Sequence, residues 1–240
     1  MSEQAGLPGW LGTLAAALQQ PDRLAGAVRL RPGRGGRPAA VLVLVGQGPA
    51  GPEVVLVERA ATLRNHPSQI AFPGGAADPG DADLVATALR EAEEEVGVPA
   101  SAVQVLGLLP AAHVAISGFD VTAVVAWWHD PGGAEAVDPQ EVAAVHVVPV
   151  DVLTNPALRA SVRHPSGYTG PAFQVGEHLV WGLTAHLLDG VLELAGWQRA
   201  WDATRTVPIP ARYLVDRAVR PGPDPSRPEA PLDEGGPDAH

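Results

Sequence analysis

The chain has 240 residues, 46% of them hydrophobic and 18% charged, with 27 Gly, 25 Pro and a formal net charge of −11; this fits one sizeable globular domain with turn-rich connections rather than two domains. It has no cysteine, and all 16 basic residues are arginine. That excludes disulfides, a thiol nucleophile, Cys-based zinc sites and any chemistry that needs a lysine. The acidic balance argues against a sequence-independent grip on nucleic acid or an anionic membrane, so an anionic substrate would have to be met through a metal cation.

The start, Met1-Ser2-Glu3-Gln4, lacks the basic and apolar regions of a secretory signal, and no apolar run is long enough to span a bilayer, so a cytoplasmic protein is expected. Leu11, Leu14, Ala15 and Leu18 recur at helical spacing within Trp10–Gln20 and predict a short amphipathic helix. Arg31–Arg37, with three glycines, reads as a loop. Ala39–Val45 and Glu53–Val57 are β-branched runs around a Gly/Pro turn and predict two strands. Gln69–Phe72 is a candidate third strand, ended by Pro73-Gly74-Gly75. Asp83–Val96 carries the stripe Val85, Leu89, Ala92 and Val96, which predicts a helix capped by Asp81 and stopped by Gly97. Strands follow at Val103–Leu109, Val121–Trp128 and Val142–Val148, then a helical turn at Val150–Leu153 and a long, very apolar helix at Glu177–Leu194. That last helix could serve a core or a homodimer equally well. The organisation expected is an N-terminal helix and loop over 1–36, a main domain over 37–219 and a disordered tail over 220–240, where almost nothing is available to bury.

On the Asp83–Val96 helix, Glu91 and Glu95 lie about 40° apart and Glu94 about 60° to the other side of Glu91, while Glu93 points away. Three carboxylates on one face repel one another by a few tenths of a kcal/mol per pair, and a bound divalent cation reverses that sign. Oxygen-only donors favour Mg2+ or Mn2+ over zinc, in the usual company of water and substrate phosphates. Arg90 stands one turn before Glu94 and can pair with it, and Gly74-Gly75 allows close backbone approach to a metal or phosphate.

The segment from Gly75 through Asp81 to Arg90-Glu91-Ala92-Glu93-Glu94-Glu95-Val96-Gly97-Val98 resembles the signature of the Nudix hydrolases. Two departures occur: Asp81 stands where the family has Glu, and eight rather than seven residues separate it from Arg90. The stretch Leu56 to Gly75, with Arg59, Arg64, His66, Phe72, Pro73 and Gly74, resembles the coenzyme A-hydrolysing subgroup, with Ser68 where that subgroup usually has Gly. Ser117–Thr122 and Glu141-Val142 extend the resemblance, which covers roughly Ala39 to Ala185.

The resemblance implies a Nudix α/β/α sandwich, an α/β fold whose mixed β-sheet has the carboxylate helix on one face and Glu177–Leu194 on the other. It implies a hydrolase for a nucleotide diphosphate: coenzyme A or a derivative, cleaved to 4′-phosphopantetheine and adenosine 3′,5′-bisphosphate. ADP-ribose or a dinucleotide is the alternative substrate, and a nucleotide-sensing domain without activity the alternative class. Glu91 and Glu95 are the expected metal ligands, Glu94 a third ligand or the base, and Arg90 their companion in catalysis. Gly75 and Glu141 are further ligand candidates. Arg59, Arg64, Phe72 and Gly74 are the substrate-binding candidates, the arginines because guanidinium forks suit phosphate oxygens. The other histidines do not fall at a His-Glu-x-x-His spacing and read as structural.

Overall fold

The computed structural model describes residues 6–27, 30–63, 65–129, 133–164 and 167–214; the expected tail over 220–240 and Arg64 lie outside them. In chain order, α1 (Gly12–Leu18) and α2 (Pro21–Ala27) lead into strands β1 (Arg37–Gly48), β2 (Gly51–Arg59), β3 (Ile70–Ala71) and β4 (Gly74–Ala76). After α3 (Leu84–Val96) come β5 (Val103–Leu108), β6 (Ala112–Val114), β7 (Phe119–Trp128), β8 (Val142–Pro149) and α4 (Val150–Thr154). A second group follows: β9 (Arg159–Arg163), β10 (Thr169–Val175), β11 (His178–Val180), α5 (Gly182–Leu194) and β12 (Thr206–Val207).

The main sheet has eight strands, with the order β3-β2-β1-β7-β5 and with β4, β6 and β8 pairing β1, β7 and β2. It is mixed, because β1 runs parallel to β7 while β2 runs antiparallel to β1. A parallel pair needs a crossover, and the stretch carrying α3 supplies it. The apolar runs of β1, β2 and β7 are continuous rather than alternating because both faces of the sheet are covered. Ala40, Leu42, Leu44, Val55, Val57, Val124 and Ala126 pack on Ala88, Ala92 and Val96 of α3. Their sequence neighbours Val43, Val45, Val54, Leu56, Ala123 and Val125 pack on Leu14 and Leu18 of α1 and on Leu187, Leu188, Val191 and Leu192 of α5. This is the α/β/α sandwich the sequence implied, and α1 is part of its core. The apolar residues of α5 are spent inside the chain. Among the described residues no helix is long and apolar enough to cross a membrane.

Three features differ from the sequence reading. Asp83, not Asp81, caps α3: its backbone is extended and its carboxylate accepts from Ala86 N–H at 2.9 Å, the N-cap geometry that Asp81 is too far upstream to make. The last long helix begins at Gly182 rather than Glu177, because Gly176-Glu177 turns a hairpin that pairs Val175 with His178. Gly176 holds φ at +56°, which glycine adopts without steric cost. Third, β9 to β12 form a separate four-stranded sheet, ordered β11-β10-β9-β12. Its inner side is organised by Arg159, only 1% exposed, whose guanidinium sits over the Phe173 and Trp201 rings at 4.0 and 4.4 Å and pairs with Asp189 of α5 at 2.5 Å.

Candidate active site

The site is assembled where α3 crosses β4. Gly74-Gly75, a turn in the sequence reading, is a strand that pairs antiparallel with Ala39–Val41 of β1. Gly74 has φ +153°, and a Cβ there would run into the Ala40 carbonyl oxygen and the Val41 backbone. A Cβ on Gly75 would lie 2.5–2.6 Å from the Glu91 carboxylate. The two glycines therefore serve different neighbours: Gly74 lets β4 lie flush on β1, and Gly75 lets Glu91 lie flush on β4.

Arg90 is the hub of the carboxylates. Its Nε and Nη2 each donate to Asp81 at 3.0 Å, and Nη1 donates to Glu91 at 3.0 Å and to Glu94 at 2.9 Å. Asp81 also accepts from Asp78 N–H and the Thr87 hydroxyl, and the Arg90 fork beside it holds its carboxyl well below the usual carboxylate range. The family-atypical Asp81 thus anchors Arg90, a role the sequence reading missed by assigning it to the helix cap. An acid at the signature's first acidic position was the available signal. Arg90 thus touches the carboxylates of Asp81, Glu91 and Glu94.

Glu95 is buried, 4% exposed, and accepts from Gly74 N–H at 3.0 Å. Burial pushes its carboxyl up to about 7; the Gly74 bond and the Arg59 charge pull it down, while the charges of Glu91 and Glu141 push it further up. Burial likewise raises Glu91, against the pull of Arg90 and with the push of Glu94 and Glu141. The charges of Arg59 and Glu141 thus both bear on Glu95, and that of Glu141 on Glu91 as well, Glu141 standing in the turn that leads into β8. Arg59 ends β2 with its Nε buried and without a hydrogen-bond partner. Glu94 is exposed beside this group and Glu93 is exposed on the other side of the helix. Phe72 is 3% exposed and belongs to the core with Val54 and Leu56, so it offers no ring face to a base.

A cluster of oxygen donors that raise one another's proton affinity, against a glycine backbone, suits a hard divalent cation. Because the folded-state value of Glu95 lies above its ordinary 4.5, the stability it contributes is full below that value and is lost as pH rises through about 7. A cation offsets the same charge. The rise in Tm caused by Mg2+ should be small near about pH 5 and grow to several degrees near about pH 8. A Mg2+ shift that ignores pH in differential scanning fluorimetry would contradict this.

The loop between β2 and β3 holds the only two non-glycine residues with positive φ among the described residues, His66 at 54° and Ser68 at 57°. Left-handed backbone at Ser68 explains why glycine suits that position. Such strain persists where surrounding structure enforces it, and it clusters at ligand-binding loops.

The sequence is also similar to those of known proteins. The family model described as "NUDIX domain" matches residues 36–167. The chain is 43% identical over 159 residues to the uncharacterized Nudix hydrolase NudL of Cronobacter sakazakii, covering 63% of this chain and 79% of that protein. It is 42% identical over 159 residues to NudL of Photorhabdus laumondii, covering 63% and 81%. Among solved structures, the Nudix hydrolase RenU from M. smegmatis is similar, at 27% identity over 51% of this chain and 79% of that one, with a TM-score of 0.42. The carboxylate helix, the glycine strand it packs on and the sequence likeness lead to one conclusion: the chain belongs to the Nudix hydrolase family.

Proposed function

We propose that the chain hydrolyses the diphosphate of coenzyme A or its derivatives, with Mg2+ or Mn2+, to 4′-phosphopantetheine and adenosine 3′,5′-bisphosphate. The observation that carries the reading is the placement of Arg59. It stands at the foot of the loop whose sequence resembles the coenzyme A-hydrolysing subgroup, with its cation acting on Glu95 and its Nε buried and unpartnered.

Glu91 and Glu95 would hold the metal, with Gly75, Glu94 and Glu141 as further ligand candidates. When bound, a divalent cation gathers phosphate oxygens, lowers the pKa of water and offsets charge on the departing phosphate. Arg90 keeps Glu91 and Glu94 at a fixed reach of β4 through the hydrogen bonds described above. Glu94, the exposed member, takes the proton of the attacking water if it is not itself a ligand. Water adds to one phosphorus, the bond from that phosphorus to the bridging oxygen breaks, and the bridging oxygen leaves on the other phosphate. Arg59 orients the diphosphate from the β2 side, where a guanidinium can contact two oxygens at once. Arg64, in the same loop sequence, is the candidate for the 3′-phosphate, and Gly74 keeps backbone close to the substrate.

This placement makes a specific expectation. Arg59→Ala should lower kcat/KM about ten- to a hundredfold, the scale of one charge-assisted phosphate contact. Because Arg59 lies with the carboxylates, the loss should be equal on coenzyme A and on dephospho-coenzyme A. Arg64→Ala should lower only the first. If Arg59→Ala spares dephospho-coenzyme A, Arg59 reads the 3′-phosphate and not the diphosphate.

A further inference from the structure

Three side chains that have no part in this chemistry meet on the other side of the main sheet. Along β2, Val55 and Val57 face α3, whereas Val54 and Leu56 face α5; strand alternation puts Glu58 on the α5 side and Arg59 on the α3 side. His146 of β8 lies opposite Leu56 and so shares the Glu58 face. His178 comes from β11, in the second sheet.

His146 Nε2 is 3.7 Å and His178 Nε2 3.9 Å from the same Glu58 oxygen, and one ligand atom from each residue falls within 4.8 Å of the other two. The ring centroids are 4.8 Å apart and tilted by 55°. These separations are too long for hydrogen bonds, which close at about 2.7–3.2 Å. His146 Nε2 is buried with no hydrogen-bond partner, an arrangement that ordinarily destabilises a fold. Arg212 acts on Glu58 from a distance but donates to the Glu177 carbonyl at 3.1 Å and the Tyr213 hydroxyl at 3.2 Å, so it does not satisfy the cluster. Donor atoms around a tetrahedral ion with ligands at about 2.0–2.1 Å stand roughly 3.4 Å apart. The two Glu58–histidine separations exceed that value by a few tenths of an ångström, and all three donors fall within 4.8 Å of one another, so side-chain rotation alone can close the set on an ion.

We propose that Glu58, His146 and His178 form a second metal site, for a divalent transition-metal ion of the zinc class, which ties β11 of the second sheet to β2 and β8 of the first. Two imidazoles and one carboxylate select zinc, cobalt or nickel over magnesium, in contrast to the all-oxygen set on α3. Three protein ligands leave one position for water. The clip borders β3, which packs on β11 and leads directly through Phe72-Pro73 into Gly74, so an ion there would stiffen the strand that enters the active site. The inference is independent of the substrate assignment.

The test uses the full chain, titrated with Zn2+ against a chromophoric chelator in excess Mg2+, and with Co2+ followed by visible absorption. Wild type and the Glu91→Gln/Glu95→Gln double variant should each bind one Zn2+ with the same affinity. His146→Gln and His178→Gln should bind it at least about tenfold more weakly. Co2+ in the wild type should give the intense visible bands of a four- or five-coordinate nitrogen-containing site. Zn2+ binding that survives both histidine changes, or that disappears with the α3 carboxylates, would overturn the proposal. Should either histidine variant fail to fold, the wild-type Co2+ spectrum decides: only the weak bands of an octahedral oxygen site would refute it.

Discussion

Glu95→Gln should lower turnover by about a hundredfold or more, the scale of lost electrostatic stabilisation at a metal-centred site, while Glu93→Gln should leave it nearly unchanged. Glutamine keeps the size of the side chain and an oxygen to accept from Gly74 N–H, so what it removes is one charge. That charge is disfavoured in the metal-free protein, where burial raises the Glu95 carboxyl to about 7. Hence the same variant, without metal near about pH 8, should melt at or above the wild-type temperature. Loss of activity with no loss of stability separates a functional carboxylate from a structural one. Equal loss in the Glu93 and Glu95 variants would contradict the facial assignment, because Glu93 is exposed on the other side of α3.

The two neighbouring glycines should fail in opposite ways. Gly74→Ala forces a Cβ into the backbone of β1 at a φ of +153°, where the obstacle cannot rotate away, and it should destabilise the fold by about 2–4 kcal/mol. Gly75→Ala meets only the end of the Glu91 side chain, at 2.5–2.6 Å. That carboxylate can swing aside at small cost to stability, but it then leaves the reach of Arg90 and Glu95. The expected result is a Tm within a few degrees of wild type with turnover down by about ten- to a hundredfold. Circular-dichroism melts beside steady-state rates distinguish the pair. A Gly75→Ala enzyme that is fully active would show that Glu91 works from another position.

These contrasts mark what the sequence could and could not convey. The α3 helix was legible because three independent signals coincide in it: an apolar stripe, a left-handed Gly97 stop and a same-face set of glutamates. β1 and β2 were legible as β-branched runs either side of a glycine turn. β4 was not, since Gly74-Gly75-Ala76 carries no side-chain pattern and is a strand only because β1 lies beside it. The second sheet was hidden for a different reason. Arg159-Ala160-Ser161-Val162-Arg163 reads as a polar segment, yet its first four residues are buried, the arginine by stacking on Phe173 and Trp201. The anchoring of Arg90 by Asp81 needed the loop geometry, since an aspartate just before a helix reads as its cap whatever its side chain reaches. The histidine pair with Glu58 is invisible to a search for ligand spacing along the chain, because His146 comes beside Glu58 through the pairing of β8 with β2 and His178 from β11 of the other sheet.

The α3 carboxylates, Arg59 and the loop beside them are proposed above to cleave the diphosphate of coenzyme A. The most direct measurement incubates the wild-type chain with coenzyme A, ADP-ribose and a dinucleoside polyphosphate in turn, with Mg2+ and with chelator, and identifies products by mass. The expected products from coenzyme A are 4′-phosphopantetheine and adenosine 3′,5′-bisphosphate, formed only with the metal and with the highest kcat/KM of the three substrates. Metal-dependent cleavage of ADP-ribose with coenzyme A left intact would contradict the proposal.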